Sequence, residues 1–199
     1  GRQLDNAYSL NTVDICPVGA LTSRDFRFQK RVWLLRSTPS ICPGCATGCS
    51  VRVDHEGGRV YRLRPRRNDA VNGPWLCDPG RLTYKRLHDA ERLDRPLVRR
   101  DGALAPVEWR DLWAELAARL APGGVRLALA SAHATLEELF LFREAAGLAA
   151  GPARTRGAVA GADAGAGDAL LQDADRAPNR GALAWLGLAE AGPAELAAL

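Results

Sequence analysis

The sequence contains no methionine, only two lysines (Lys30 and Lys85), and aromatic residues at just 6% of 199 positions. No apolar run approaches the ~20 residues that a membrane-spanning helix needs, so any tie to a membrane is expected to go through partners. The first twenty residues are polar and mixed, unlike the charged-then-apolar pattern of a secretory signal. The lack of methionine and the ending at Ala197-Ala198-Leu199, mid-helix in composition, lead us to expect a fragment of a longer protein. Because lysine is so rare, arginine carries nearly all the positive charge, 27 basic against 23 acidic residues for a net +4. Beside so much Ala, Gly, Leu and Pro, that excess reads as GC-rich coding, not as a nucleic-acid-binding face. With 47% apolar and 25% charged residues, a packed core is expected, in one ordinary domain or two small ones.

Cysteine is present in a pattern. The five cysteines, Cys16, Cys42, Cys45, Cys49 and Cys77, all fall in the first two-fifths of the chain. An odd count, tight spacing and no secretory leader argue against a disulfide framework and for metal or cluster ligation in a reducing compartment. Three thiolates on one short loop (Cys42-x2-Cys45-x3-Cys49) and a fourth from a remote loop (Cys77) suit the corners of a [4Fe–4S] cube. Zinc sites more often use two separated pairs, and a zinc site or buried free thiols are the alternatives. Gly44 and Gly48 would let the loop fold back with its backbone N–H groups aimed at sulfur, and Arg52 and Arg81 lie near ligands in sequence, where they could offset thiolate charge. Between the third and fourth cysteines, alternating apolar residues in Ser50–Asp54 and Arg59–Arg64 flank His55-Glu56-Gly57-Gly58, which reads as a β-hairpin returning Cys77 toward the others. Trp75 either shields this site from water or is an ordinary core residue. Cys16, in Cys16-Pro17, has the form of the last ligand of a ferredoxin-type cluster, or is a buried free thiol in this chain.

The second half carries less chemistry. Trp109, Leu112, Trp113, Leu116 and Leu120 recur at helical spacing before a Pro122-Gly123-Gly124 stop, and Arg126–Ala130 reads as a short buried strand. Thr135 and Glu138 form a capping box for a helix through Leu139, Phe140, Phe142 and Ala145 that closes near Gly147. Helix, strand and helix point to an α/β layer with a parallel sheet. His133 falls in the loop after the strand, where such sheets bind ligands, yet it reads as an ordinary loop histidine, as do His55 in its turn and His88. Gly151 to Gly167 reads as a flexible surface connection. Gly165-Ala166-Gly167 lacks the third glycine and preceding strand of a dinucleotide fingerprint. Leu183–Leu188 is either core or interface. No nucleophile–base pair is evident, so no catalytic residue is assigned.

Together the run Cys16-Pro17-Val18-Gly19-Ala20-Leu21, the Cys42-x2-Cys45-x3-Cys49 loop and Trp75-Leu76-Cys77-Asp78-Pro79-Gly80-Arg81 resemble the large iron–sulfur subunit of bacterial NADH–quinone oxidoreductase, respiratory complex I. Asn11 to Arg100 and Asp173 to Ala182 carry the resemblance. It implies that Cys42, Cys45, Cys49 and Cys77 bind an additional [4Fe–4S] cluster off the main electron path, where a structural role is expected. It also implies that Cys16 is the fourth ligand of a second [4Fe–4S] cluster whose other ligands are missing here. The expected fold class is α+β followed by α/β. Residues 1–30 would be the tail of a ferredoxin-like domain, and 31–100 a small cluster-binding hairpin domain of the molybdenum/tungsten-enzyme type. Residues 101–199 would begin a molybdopterin-oxidoreductase-like α/β domain, with no molybdopterin expected.

By the same resemblance, the partners are the flavin- and NADH-binding and quinone-side subunits of the complex. The location is the cytoplasmic peripheral arm at the bacterial inner membrane, touching the membrane only through the complex. One rival is the N-terminal part of a molybdenum- or tungsten-dependent formate dehydrogenase. Those enzymes typically follow the fourth cysteine with Cys-x-Lys-Gly, and here Pro79 stands where the lysine would be, without its charge or donor. A zinc-binding interaction module is the rival from another class.

Overall fold

A computed structural model describes residues 4–119, 127–150, 155–158, 167–192, 194 and 197. The chain divides into two units, Gly1–Ala90 with Gly161–Pro178, and Glu91–Ala160 with Asn179–Leu199. Among the described residues no helix is long and apolar enough to cross a membrane.

The first unit opens with the short helix α1 (Asn11–Ile15) and is built on an antiparallel sheet of β1 (Arg36–Ile41), β2 (Ser50–Glu56) and β3 (Arg59–Pro65), in that order. The expected hairpin is β2–β3. Its turn is Gly57-Gly58, whose φ angles of 56° and 77° are the left-handed pair that a two-residue type I′ turn requires. His55 lies within β2, not in the turn as the sequence suggested, because the ladder continues to Glu56↔Arg59. There its Nε2 meets Thr38 Oγ1 at 2.9 Å, and His88 Nε2 bonds the backbone of Val60, so both histidines serve the sheet. The third strand, β1, had no apolar alternation to announce it. Every one of its residues is exposed, and Pro39 is tolerated because β1 is an edge strand.

One face of the sheet covers a core of Cys42, Cys49, Val51, Leu63 and Leu76, with Val53, Val60, Tyr84 and Leu171 packed around it. On the sheet, Asp54 is buried between two arginines. Its Oδ2 accepts from Arg62 Nε at 2.7 Å and from Arg64 Nε at 2.8 Å, and the Arg62 guanidinium lies 4.1 Å from the centre of the Phe26 ring. Burial alone would push the Asp54 carboxyl up. The hydrogen bonds from Arg64 and Arg62 outweigh it and hold the group below its ordinary range.

The second unit begins with a hairpin, β4 (Leu97–Arg100) and β5 (Ala103–Pro106), turned by Asp101 and Gly102 at φ 52° and 83°. The helix expected from the tryptophan spacing is α3 (Trp109–Arg119), where Trp109 and Trp113 stack with centroids 5.5 Å apart and stay more than half exposed. Leu120 and the Pro122-Gly123-Gly124 stop lie outside the described residues, as does Arg126. The strand is β6 (Ala128–Ser131), and it pairs in parallel with β7 (Thr155–Ala158), which in turn pairs in parallel with β8 (Ala189–Glu190). The parallel layer is therefore real.

The capping box is reciprocal: Thr135 N–H donates to Glu138 Oε2 at 2.7 Å and Glu138 N–H to Thr135 Oγ1 at 3.2 Å, opening α4 (Leu136–Ala150). That helix runs through Gly147 instead of closing there, since a helical glycine weakens a helix by only about 1 kcal/mol. The expectation of a flexible connection across Gly151–Gly167 needs correcting at Thr155–Ala158, which is the middle strand of the sheet. Gly157 is required there, because a Cβ on it would meet Leu183 at 2.4 Å. Gly165 and Ala166 lie outside the described residues. In α5 (Arg180–Trp185) and after it, Leu183, Leu186 and Leu188 are buried, whereas Trp185 is 75% exposed. His133 is exposed and its backbone N–H donates to Ser131 Oγ.

Replacing Asp54 by Ala should destabilise the first unit by about 3 kcal/mol, because it strands two arginines beside an emptied site. Since the folded carboxyl titrates below its unfolded value, its contribution is complete above about pH 5 and is lost as pH falls through the folded value. Urea unfolding at pH 7 and pH 3 should therefore separate wild type from D54A more widely at the higher pH than at the lower.

Candidate functional site

Three of the cysteines sit on the turn between β1 and β2. Strand pairing ends at Ile41↔Ser50, and the loop is closed at its base by the Cys42 N–H donating to the Cys49 carbonyl at 2.8 Å. Gly48 turns the loop with φ +62°, and the Gly44 N–H points at the Cys42 sulfur, as the sequence suggested. Cys77 is the N-cap of α2 (Asp78–Leu82), with Pro79 in its first turn, and the Gly80 N–H donates to the Cys77 sulfur at 3.3 Å.

Two asparagines that sequence reasoning passed over put Cys77 in place. Asn72, 2% exposed, accepts from the Ser50 N–H at 2.9 Å and donates to the carbonyls of Arg66 and Trp75, folding the segment after β3 back onto β2. Asn11 on α1 brackets the residue before Cys77, accepting from the Leu76 N–H and donating to its carbonyl. Nothing in local spacing marks either one; a buried amide is recognisable only once the backbone around it is known.

All four thiols are buried, with relative exposures of 3% for Cys42 and Cys49 and 6% for Cys45 and Cys77, and none is in a disulfide. The Cys42 and Cys77 sulfurs flank one point at Gly80, where an added Cβ would sit 3.0 and 3.1 Å from them. Burial pushes the Cys42 thiol up to about 11. It pushes Cys49 up to about 12, reinforced by Cys42, Cys45 and Cys77, and it raises Cys77 as well. Four thiolates can therefore coexist here only beside positive charge. Among the described residues no three His, Cys, Asp or Glu side chains are close enough to hold a single metal ion. Around one zinc, thiolates stand about 3.8 Å apart, whereas each thiolate on an iron–sulfur cube bonds its own iron and the set spreads wider.

The expected counter-charges are arranged differently. Arg52 is exposed on β2. Arg81 is buried, but Asp14 pairs with it at 2.6 Å, and it donates to Asn11 and to the Leu76 carbonyl. The cation that acts on Cys77 is Arg176, about a hundred residues further on. Its segment lies against the cysteine loop, with the Ala46 N–H donating to the Asp175 carbonyl at 2.8 Å. Trp75 is 47% exposed, so it is not a core residue. Cys16 is held in a separate turn after α1, where the N–H groups of Leu21, Val18, Ala20 and Gly19 point at its sulfur and lower its pKa.

Residues 35–89, which hold the sheet, the cysteine loop and α2, match the molybdopterin oxidoreductase Fe4S4 domain. The chain is 38% identical over 152 residues to an NADH-quinone oxidoreductase subunit of Streptomyces coelicolor, covering 75% of this chain and 18% of that protein. It is 39% identical over 145 residues to NADH-quinone oxidoreductase subunit 3 of Thermus thermophilus, covering 72% and 18%. With the mitochondrial NADH-ubiquinone oxidoreductase 78 kDa subunit of Neurospora crassa it shares 42% identity over 116 residues, covering 58% and 16%. The chain is similar to one part of each of these subunits. It spans less than a fifth of their length.

Replacing Arg81 by Met would leave Asp14 without its buried cation, and Asn11 Oδ1 with the Leu76 N–H but without the Arg81 guanidinium. A loss of about 3 kcal/mol is expected, read as a lower midpoint in chemical unfolding, with R81K recovering part of it.

Proposed function

We propose that this chain is part of an iron–sulfur electron-transfer subunit of NADH–quinone oxidoreductase, and that Cys42, Cys45, Cys49 and Cys77 together bind one [4Fe–4S] cluster. The observation that carries the reading is the burial of four free thiols from two loops, one from each loop, Cys42 and Cys77, flanking Gly80, within the segment that matches the Fe4S4 domain. The donor set fits the cofactor: thiols this costly to ionise need a cationic partner, and iron supplies it. When bound, such a cluster provides a one-electron redox couple. The chain's own residues would do the rest. The Gly44 and Gly80 amides point at ligand sulfurs, Leu76 and Val51 keep water out, and the asparagine ties fix the Cys77 segment relative to the hairpin.

The reading extends to the surroundings. Cys16 would be the last ligand of a second [4Fe–4S] cluster completed by residues that this chain does not contain, and the ring of amides about its sulfur favours that role. Residues 1–30 would be the end of a ferredoxin-like domain, 31–100 the cluster-binding domain, and 101–199 the beginning of a molybdopterin-oxidoreductase-like domain without molybdopterin. The parallel β6–β7–β8 layer supports an α/β fold there. Pro79, fixed in the first turn of α2, speaks against the formate dehydrogenase alternative, because it cannot bridge cluster and pterin. The partners would be the flavin- and quinone-side subunits, on the cytoplasmic face of the membrane, with a structural role for this cluster as the resemblance implies.

Anaerobic reconstitution of the chain should give brown protein with about four iron and four sulfide per chain. G80A, whose methyl would press on two ligand sulfurs, should bind less than half as much iron. Colourless protein carrying one zinc would overturn the cluster and support an interaction module.

A further inference from the structure

A hydroxyl has one proton to give and two lone pairs to accept with, and Thr47 uses all three. Its Oγ1 donates to the carbonyl of Leu171, 124 residues further along the chain, at 2.6 Å. It accepts from the Asp173 N–H at 3.2 Å and from the Cys45 thiol at 3.4 Å. Beside it, the Ala46 N–H donates to the Asp175 carbonyl at 2.8 Å. If metal displaced the Cys45 proton, the thiol's bond would be lost and the three bonds to the distant segment would remain.

That segment holds its own shape. Asp168 Oδ1 accepts from the N–H groups of Leu170, Leu171 and Gln172, Asp173 Oδ1 from that of Asp175, and Asp175 Oδ1 from that of Ala177. With those donors satisfied internally, what residues 168–177 offer the cysteine loop is backbone: the Leu171 and Asp175 carbonyls and the Asp173 N–H. Thr47 supplies the side chain that answers two of these three groups. Leu171 packs against the cysteine core, and Ala177, 1% exposed, fixes the far end of the segment. Cys45 stands out against this background. The core takes in Cys42 and Cys49 but not Cys45, and the loop residues Pro43 and Ala46 around it are exposed, yet Cys45 is 6% exposed.

We propose that Thr47 is a positioning residue of the cysteine site: its hydroxyl latches residues 168–177 onto the loop and thereby keeps Cys45 covered from solvent. Its bearing on iron rests on the cluster reading above, whereas the latch itself does not. Valine at 47 keeps the branched shape but strands the Leu171 carbonyl and the Asp173 N–H, which favours opening of the segment. Serine keeps the hydroxyl and the latch.

The test uses the full chain after anaerobic reconstitution, with iron and sulfide counted first. Amide hydrogen exchange reads the latch at its own position. In wild type the Asp173 N–H should exchange at least about tenfold more slowly than an exposed amide, and T47V should lose that protection while the central strand β2 keeps its own. Excess bathophenanthroline disulfonate, an iron chelator, should strip T47V about tenfold faster than wild type. T47S, and T38V on the exposed strand β1, should match wild type in both readings. Loaded T47V in which either reading stays at the wild-type value overturns the inference and leaves the cluster reading standing. Equal loss of protection at Asp173 and throughout β2 also overturns it, because that marks general destabilisation. Wild-type protein that takes up no iron removes the cluster reading, and exchange at Asp173 then decides the latch alone. Should T47V fail to load, wild-type exchange decides: a slow Asp173 N–H supports the latch, and one as fast as an exposed amide overturns it.

Discussion

Burying four free thiols is the constraint on which the first unit turns. Its core consists of Cys42, Cys49, Val51, Leu63 and Leu76, so two of five core residues are cysteines. A three-stranded sheet with one exposed edge strand buries too little carbon to hold itself together unaided, and small domains of this kind are commonly stapled by metal. The same burial that raises the Cys42, Cys49 and Cys77 thiols makes them costly as thiolates, a cost that the charge of the proposed iron would offset. Fold and cofactor are therefore coupled: the sulfurs complete the core, and the cluster would make that core affordable.

The chain meets that constraint with backbone and amide groups more than with opposing charge. Arg81, adjacent in sequence to the ligand segment, is consumed by Asp14 and Asn11 in holding α1 to α2. Asp54 likewise matches Arg62 and Arg64 on the sheet. What faces sulfur directly is amide: Gly80 for Cys77, Gly44 for Cys42 and the turn after Pro17 for Cys16. Such dipoles stabilise negative sulfur without adding a mobile side chain, and glycine at 44 and 80 lets backbone come that close.

Much of this was legible in the sequence wherever the signal was local. The Gly57-Gly58 turn, the Thr135/Glu138 box and the Trp109–Leu116 spacing each encode their structure within a few residues, and each element appeared. Asp101-Gly102 carried an equally local hairpin signal that the sequence reading did not use. What stayed hidden depends on contacts between distant residues. β1 has no alternation because it is an exposed edge, and β7 looks like linker because Gly157 must be small beneath Leu183. Asn11, Asn72 and Arg176 bear on the cysteines only through the path of the folded chain. The four candidate cysteines were nominated by spacing; all four are buried, and Cys42 and Cys49 belong to the core of the first unit.

The most direct measurement is iron-edge X-ray absorption on the anaerobically reconstituted chain. The account predicts iron with an all-sulfur first shell and iron neighbours in the second, lost together when Cys77 is replaced by Ala. Isolated iron with oxygen or nitrogen ligands, or a spectrum indifferent to Cys77, would contradict it.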